Sequence, residues 1–190
     1  MKFSRILTAV LTAGMTTLVA FSAAAADNNG PMFSVVGSAI QSQSRESGNG
    51  ITLDGKLGLG GGLLVAIPTG HDFGFEIGGL YFNRKFDKIG SNVTNTGFSQ
   101  KSIYVPADFR FGLAEVLSLG LGGYYDLALD GGNDNDYGLQ GGLRLSFPMA
   151  ATTAFILDGR YSYGLRTDVF GSRSKDIIAM AGFTFNMPNH

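Results

Sequence analysis

The feature that most constrains this chain is a two-residue alternation of apolar side chains that recurs from about residue 32 almost to the end. Between residues 137 and 147, Tyr137, Leu139, Gly141, Leu143, Leu145 and Phe147 alternate with Gly138, Gln140, Gly142, Arg144 and Ser146. Successive side chains of an extended strand point to opposite faces, so this stretch predicts a strand with one greasy face and one small or polar face. The same split recurs over 57–67, 73–81, 103–111, 117–129, 155–165 and 177–185. A weaker segment at 32–43 completes eight strands. After Asp27 neither a helical period nor an apolar run of the ~20 residues needed by a membrane helix appears, and the predicted class is all-β.

Residues 1–26 differ from the rest. Lys2 and Arg5 precede an apolar stretch over 6–21, which closes on Ser22 and four alanines before Asp27. This is the pattern of a secretory signal peptide cut between Ala26 and Asp27. Its removal deletes two cations and no acid, leaving 12 basic against 15 acidic residues. The expected organisation is a signal peptide at 1–26, a periplasmic lead at 27–31, a barrel at 32–187 and a tail at 188–190. A formal charge of −1 for the whole chain gives no electrostatic reason for a nucleic-acid partner.

The connections between strands alternate in length. Short ones fall at 68–71, 113–116 and 148–152; longer polar ones fall at 42–50, 84–100, 130–136 and 167–174. Short turns at one rim and long loops at the other suit a closed antiparallel eight-stranded transmembrane β-barrel, an up-and-down meander, in a bacterial outer membrane. Alternation alone also fits a soluble lipocalin-like binding barrel in the periplasm, and volume separates the two. An eight-stranded barrel has an interior just wide enough to be filled by side chains, and the bulky rows would overfill it. Glycine is abundant, 29 of 190 residues, and the strand glycines of the small-residue rows belong on the inner face, where they let a narrow lumen close. This topology places all seven tyrosines in the half near the long loops as an aromatic girdle, and parity gives Tyr104 and Tyr124 to the lumen.

Every charge on a strand lies on the small-residue face: Lys56, Glu76, Asp108, Arg110, Asp126, Arg144, Asp158, Arg160 and Asp176. Counted from the short turns, Glu76, Asp108, Arg110, Arg144 and Asp158 lie roughly five to eight residues up, and Asp126 with Arg160 roughly ten to eleven. Two layers of Arg and carboxylate that pair with one another are therefore expected to close the lumen. A charged constriction in a small ion or solute pore is the alternative.

Catalytic and metal chemistry find little support. There is no Cys, and the two histidines, His71 and His190, fall on a short turn and at the last position. The serines at 34–47 have no adjacent base. The acidic loop at 130–136 lacks the terminal Glu of an EF-hand, and Gly58-Leu-Gly-Gly-Gly62 lacks the Lys-Ser/Thr of a phosphate loop. The expectation is a protein that is not an enzyme and holds no cofactor or metal.

Four stretches carry a family resemblance: Gly58-Leu-Gly-Gly-Gly-Leu-Leu-Val-Ala-Ile67, Phe73-Gly-Phe-Glu-Ile-Gly-Gly-Leu-Tyr81, Ile103-Tyr-Val-Pro-Ala-Asp-Phe-Arg-Phe111 and Asp158-Gly-Arg-Tyr-Ser-Tyr-Gly-Leu165. With them the chain from residue 27 on resembles the small outer-membrane β-barrels, the OmpA, OmpX and PorT-type barrel domains. The resemblance implies outer-membrane lipid, the outer-membrane assembly machinery and periplasmic chaperones as partners. The loops at 42–50 and 84–100 are polar enough to be displayed and too unspecialised to name a ligand, so the expected role is structural or surface-interaction, with the long loops open to a ligand outside the cell.

Overall fold

The structure is a computed structural model, and it describes residues 30–43, 45–47, 51–69, 72–90, 93–130, 135–167 and 173–187. The signal segment with its Ala26–Asp27 junction, His71 and His190 lie outside the described residues. Nine strands are described: β1 (Met32–Ser42), β2 (Arg45–Ser47), β3 (Ile51–Pro68), β4 (Phe73–Gly90), β5 (Val93–Ala114), β6 (Leu117–Ala128), β7 (Asp136–Ala150), β8 (Thr153–Thr167) and β9 (Arg173–Asn186). β1 runs beside β3 from Met32↔Ala66 to Gln41↔Leu57, and β2 continues the same line from Arg45↔Leu53 to Ser47↔Ile51. The two are pieces of one stave, so the barrel has eight.

Every stave pairs antiparallel with its sequence neighbour, and β1 also pairs with β9 from Met32↔Asn186 to Ser42↔Asp176. The sheet closes on itself and leaves no open edge around the ring, so backbone donors and acceptors are satisfied between strands. Among the described residues no helix is long and apolar enough to cross a membrane.

The greasy parity faces outward. Leu63, Phe109, Leu139, Leu143 and Tyr161 are 44–60% exposed, and similar residues line every stave. On β7 the belt runs from Tyr137 to Phe147, which at about 3.3 Å per residue and a tilt near 40° spans about 25 Å. That is the height of a barrel's lipid-facing band. Tyr81, Tyr125, Tyr137 and Tyr161 stand exposed toward the long-loop end, while Tyr104 and Tyr124 are buried inside as their parity predicts.

Three details depart from the sequence reading. The segment 84–100, read as a loop, continues β4 and β5 as a hairpin, with Arg84↔Gln100 and Phe86↔Phe98 in register. Lys56, expected inside, is exposed. The β3–β4 register shifts between Lys56 and Leu59, and one extra residue re-aims every side chain beyond it. Lys56 therefore meets Asp54 at 2.8 Å and Asp87 at 3.4 Å outside the barrel. Finally, the inner face is not only small and charged. Val36, Ile40, Leu64, Leu80, Phe82, Ile156, Ile178 and Met180 form a buried apolar cluster with Tyr104 and Tyr124.

Candidate functional site: the luminal charge networks

Inward glycines make room for the long side chains of the lumen. A Cβ on Gly122 would stand 2.5 Å from the Asp108 carboxylate, and one on Gly142 2.8 Å from Cγ of Arg160. Gly120 lies against the Arg110 guanidinium, where a Cβ would come within 3.2 Å of its Cζ. β6 and β7 thus yield the space that charges from β4, β5 and β8 occupy.

Six residues form the network nearer the short turns: Glu76 on β4, Asp108 and Arg110 on β5, Arg144 on β7, and Asp158 and Arg160 on β8. Three carboxylates and three guanidinium groups balance in formal charge. Glu76 binds all three arginines: Oε2 accepts from Arg144 Nη1 at 2.6 Å, and Oε1 from Arg160 Nη2 at 2.7 Å and Arg110 Nη2 at 3.1 Å. Asp158 Oδ2 also meets all three, at 2.5 Å from Arg110, 2.7 Å from Arg144 Nη2 and 3.0 Å from Arg160 Nη2. Arg160 Nη1 reaches Asp108 Oδ2 at 2.8 Å. The other Asp108 oxygen accepts from Gln140 Nε2 at 2.7 Å, and Gln140 Oε1 accepts from the Tyr104 hydroxyl at 2.5 Å. Charge-assisted bonds of this number offset the desolvation that an isolated buried charge would suffer.

Tyr104 belongs to an aromatic layer above this network. Its ring stacks on Tyr124 at 4.8 Å between centroids and meets Phe82 edge-on at 5.7 Å. Beyond the rings lies a second network. Arg84 binds Asp126 Oδ2 at 2.7 Å and Asp176 Oδ2 at 3.1 Å, donates to Ser102 Oγ at 2.5 Å, and lies over the Phe82 ring. Above it Asp136 accepts hydrogen bonds from the Tyr124 hydroxyl and from Ser174 Oγ.

Of the seven residues singled out by sequence, Glu76, Asp108, Arg110, Arg144, Asp158 and Arg160 come together, and Asp126 stands apart. Arg160, expected beside Asp126, instead reaches toward the short-turn end, because its long side chain extends well beyond the height of its own Cα. The partner of Asp126 is Arg84, from the 84–100 segment whose polarity predicts a loop. Gln140 and Ser102 were also missed. Their inward parity was visible, but a neutral polar residue carries no signal that separates a network member from a filler.

At the short-turn end a cavity of about 270 Å³ is lined by Ser34, Ser118, Ser146 and Thr184, with Arg110 and Arg144 also on its wall. Ser34 and Thr184 bond each other across the β1–β9 seam at 2.7 Å. No group of His, Cys, Asp and Glu suited to a metal ion occurs among the described residues.

A closed eight-stave meander with its bulky parity turned outward and its lumen filled by side chains is the architecture of the small outer-membrane β-barrels. Among solved structures the fold is similar to that of the outer membrane protein OprG from Pseudomonas aeruginosa. The TM-score is 0.65 at 14% identity, covering 85% of this chain and 98% of that one. It is also similar to the outer membrane protein AlkL, determined in lipid bilayers, with a TM-score of 0.55 at 10% identity over 90% of this chain and 96% of that one. No family model and no curated protein matches the sequence.

Proposed function

We propose that the chain is exported by cleavage between Ala26 and Asp27, is inserted into the bacterial outer membrane, and acts there as a closed structural barrel that displays its long loops. Glu76, Asp108, Arg110, Arg144, Asp158 and Arg160 are its plug, and the Arg84–Asp126 pair reinforces it. The observation that carries this reading is the saturation of Glu76 and Asp158. Each engages three arginines in a lumen with little free width, beneath an aromatic layer that is itself buried. A conducting pore would need hydrated charges along a continuous path, and here every one of these carboxylates is occupied by an arginine of the same chain. Lipid is the main partner, reached through the assembly machinery and periplasmic chaperones, and the loop rim is the surface offered to a ligand outside the cell. The role is non-catalytic.

Two measurements test this. In a fractionated Gram-negative host the mature chain, beginning at Asp27 by mass spectrometry, should require detergent for extraction; recovery in the soluble periplasm would favour the lipocalin-like barrel. In planar bilayers the purified protein should give no stable unitary conductance, and steady single-channel steps would establish the pore instead.

A further inference from the structure

Charge outside the lumen is distributed unevenly. Lys56 is neutralised by Asp54 and Asp87. The remaining cations outside the lumen whose side chains are described, Lys85, Lys88, Lys101, Arg166, Arg173 and Lys175, all lie at the long-loop end, whereas the described ionisable side chains at the short turns are the exposed carboxylates Asp72 and Glu115. Among the six, Arg173 and Lys175 share one aromatic platform. Lys175 stands directly across the ladder from Tyr163. The Arg173 Cζ lies 5.7 Å and the Lys175 Nζ 5.8 Å from the centroid of the Tyr163 ring. Arg173 Nη1 also donates to the Tyr163 hydroxyl at 2.9 Å. Neither cation makes an ion pair among the described residues.

Directly below this group on the outer wall are Ile177, 45% exposed, and Tyr161, 44% exposed, the upper edge of the apolar belt. Two like charges held over one ring repel each other, and an anion between them relieves that repulsion. A guanidinium fork and an ammonium are the donors that suit phosphate oxygens. The ring keeps both cations at the height where tails give way to headgroups. Resting on the membrane-spanning reading above, we infer that Arg173, Lys175 and Tyr163 form a site on the outer wall between β8 and β9 for the phosphate of a lipid headgroup in the leaflet at the long-loop end. The acyl chains of that lipid lie against Tyr161 and Ile177.

Native mass spectrometry of the full mature chain in detergent micelles tests the site, with lipid A, dephosphorylated lipid A and inorganic phosphate as probes. The wild type should retain lipid A in preference to the dephosphorylated form. The R173Q/K175Q variant should lose that preference by about tenfold or more, the scale expected when two cations near a membrane surface stop attracting an anionic headgroup. K85Q/K101Q, which removes two cations elsewhere on the same rim, should keep it. R173K/K175R should retain most of it and guards against a folding defect, which gel mobility of the folded barrel reports independently. Equal retention of the two lipids, retention by R173Q/K175Q, or an equal loss in K85Q/K101Q would overturn the inference. Displacement of lipid A by millimolar inorganic phosphate would make this a site for free anions and would overturn the lipid source. A chain that fails to fold in micelles at all would refute the membrane reading itself, whereas a folded barrel blind to phosphate would refute this inference alone.

Discussion

Replacing Arg160 by Met removes the guanidinium that joins the largest number of carboxylates. Its side chain is 1% exposed and reaches Glu76, Asp108 and Asp158, with Nε and Nη2 both on Asp158. Glu76 and Asp158 keep Arg110 and Arg144 after the change, but Asp108 keeps only Gln140. One carboxylate is left buried without a cation, a defect that costs about 3–5 kcal/mol. Arg144 makes a useful comparison because it lines the short-turn cavity and is 8% exposed on its side chain. Water entering by that mouth can hydrate what Arg144→Met leaves behind, so its loss should be the smaller, about 2–3 kcal/mol. Adding Asp108→Asn to Arg160→Met removes the stranded charge while keeping an acceptor for Gln140, and should recover about 1 kcal/mol or more. Urea unfolding in lipid vesicles gives these values through circular dichroism and the mobility shift of the folded barrel; the chain has no tryptophan for fluorescence. A loss below about 1 kcal/mol in Arg160→Met, or the absence of rescue by Asp108→Asn, would mean that the network is hydrated and that the plug is not what holds the lumen closed.

Gly122→Ala places a Cβ 2.0 Å from the Ala107 carbonyl and 2.5 Å from Asp108, and should cost about 1–3 kcal/mol in the same assay; Gly79→Ala, with nothing within 4 Å of the new atom, should be close to neutral. Tyr104→Phe removes the hydroxyl that satisfies Gln140, and a loss of about 1–3 kcal/mol is expected, with an unchanged midpoint counting against the coupling of the aromatic layer to the charges. Leu143→Arg on the outward face of β7 should destabilise the barrel in vesicles by about 2–4 kcal/mol, and a neutral result would show that this parity does not meet lipid.

Parity was the legible part of this fold, because a period of two is fixed by strand geometry and because a strand charge has no place in a hydrocarbon layer. From these followed the closed meander, the outward rows and the inward positions of Glu76, Asp108, Arg110, Arg144, Asp158 and Arg160. What stayed hidden has particular causes. The bulge between Lys56 and Leu59 adds one residue without any mark in composition, and it inverts the parity of everything beyond it. Asn83, Arg84 and Lys85 have the polarity of a loop, so the strand that carries Arg84 into the lumen was read as ended. Leu64, Leu80, Phe82, Ile156 and Ile178 sit on the inward parity, but an apolar side chain there carries neither charge nor smallness to mark it as luminal. The clue was their pairing with space: a Cβ on Gly60 would strike the Phe82 ring at 2.5 Å, and one on Gly78 would strike Leu64 at 2.4 Å. Layer assignment failed for Arg160 because backbone height does not fix where a long side chain ends.

The seam between β1 and β9 bears on how fast such a molecule can form. It joins Phe33 to Phe185 and Ser34 to Thr184, residues about as far apart in sequence as the fold contains, with 150 positions separating the Ser34 and Thr184 hydroxyls. Every other junction in the ring links neighbours through a turn or loop and forms locally; this one brings the ends of the meander together at a chain-entropy cost of about 4 kcal/mol, recovered only when the whole ladder zips. Contacts of such long range make folding slow, and the seven earlier junctions can form as an open sheet with two unsatisfied edges while the last one waits. In bulk lipid those edges are untenable, which makes closure and insertion a single event and leaves the nearly finished sheet dependent on whatever shields its edges until β1 meets β9.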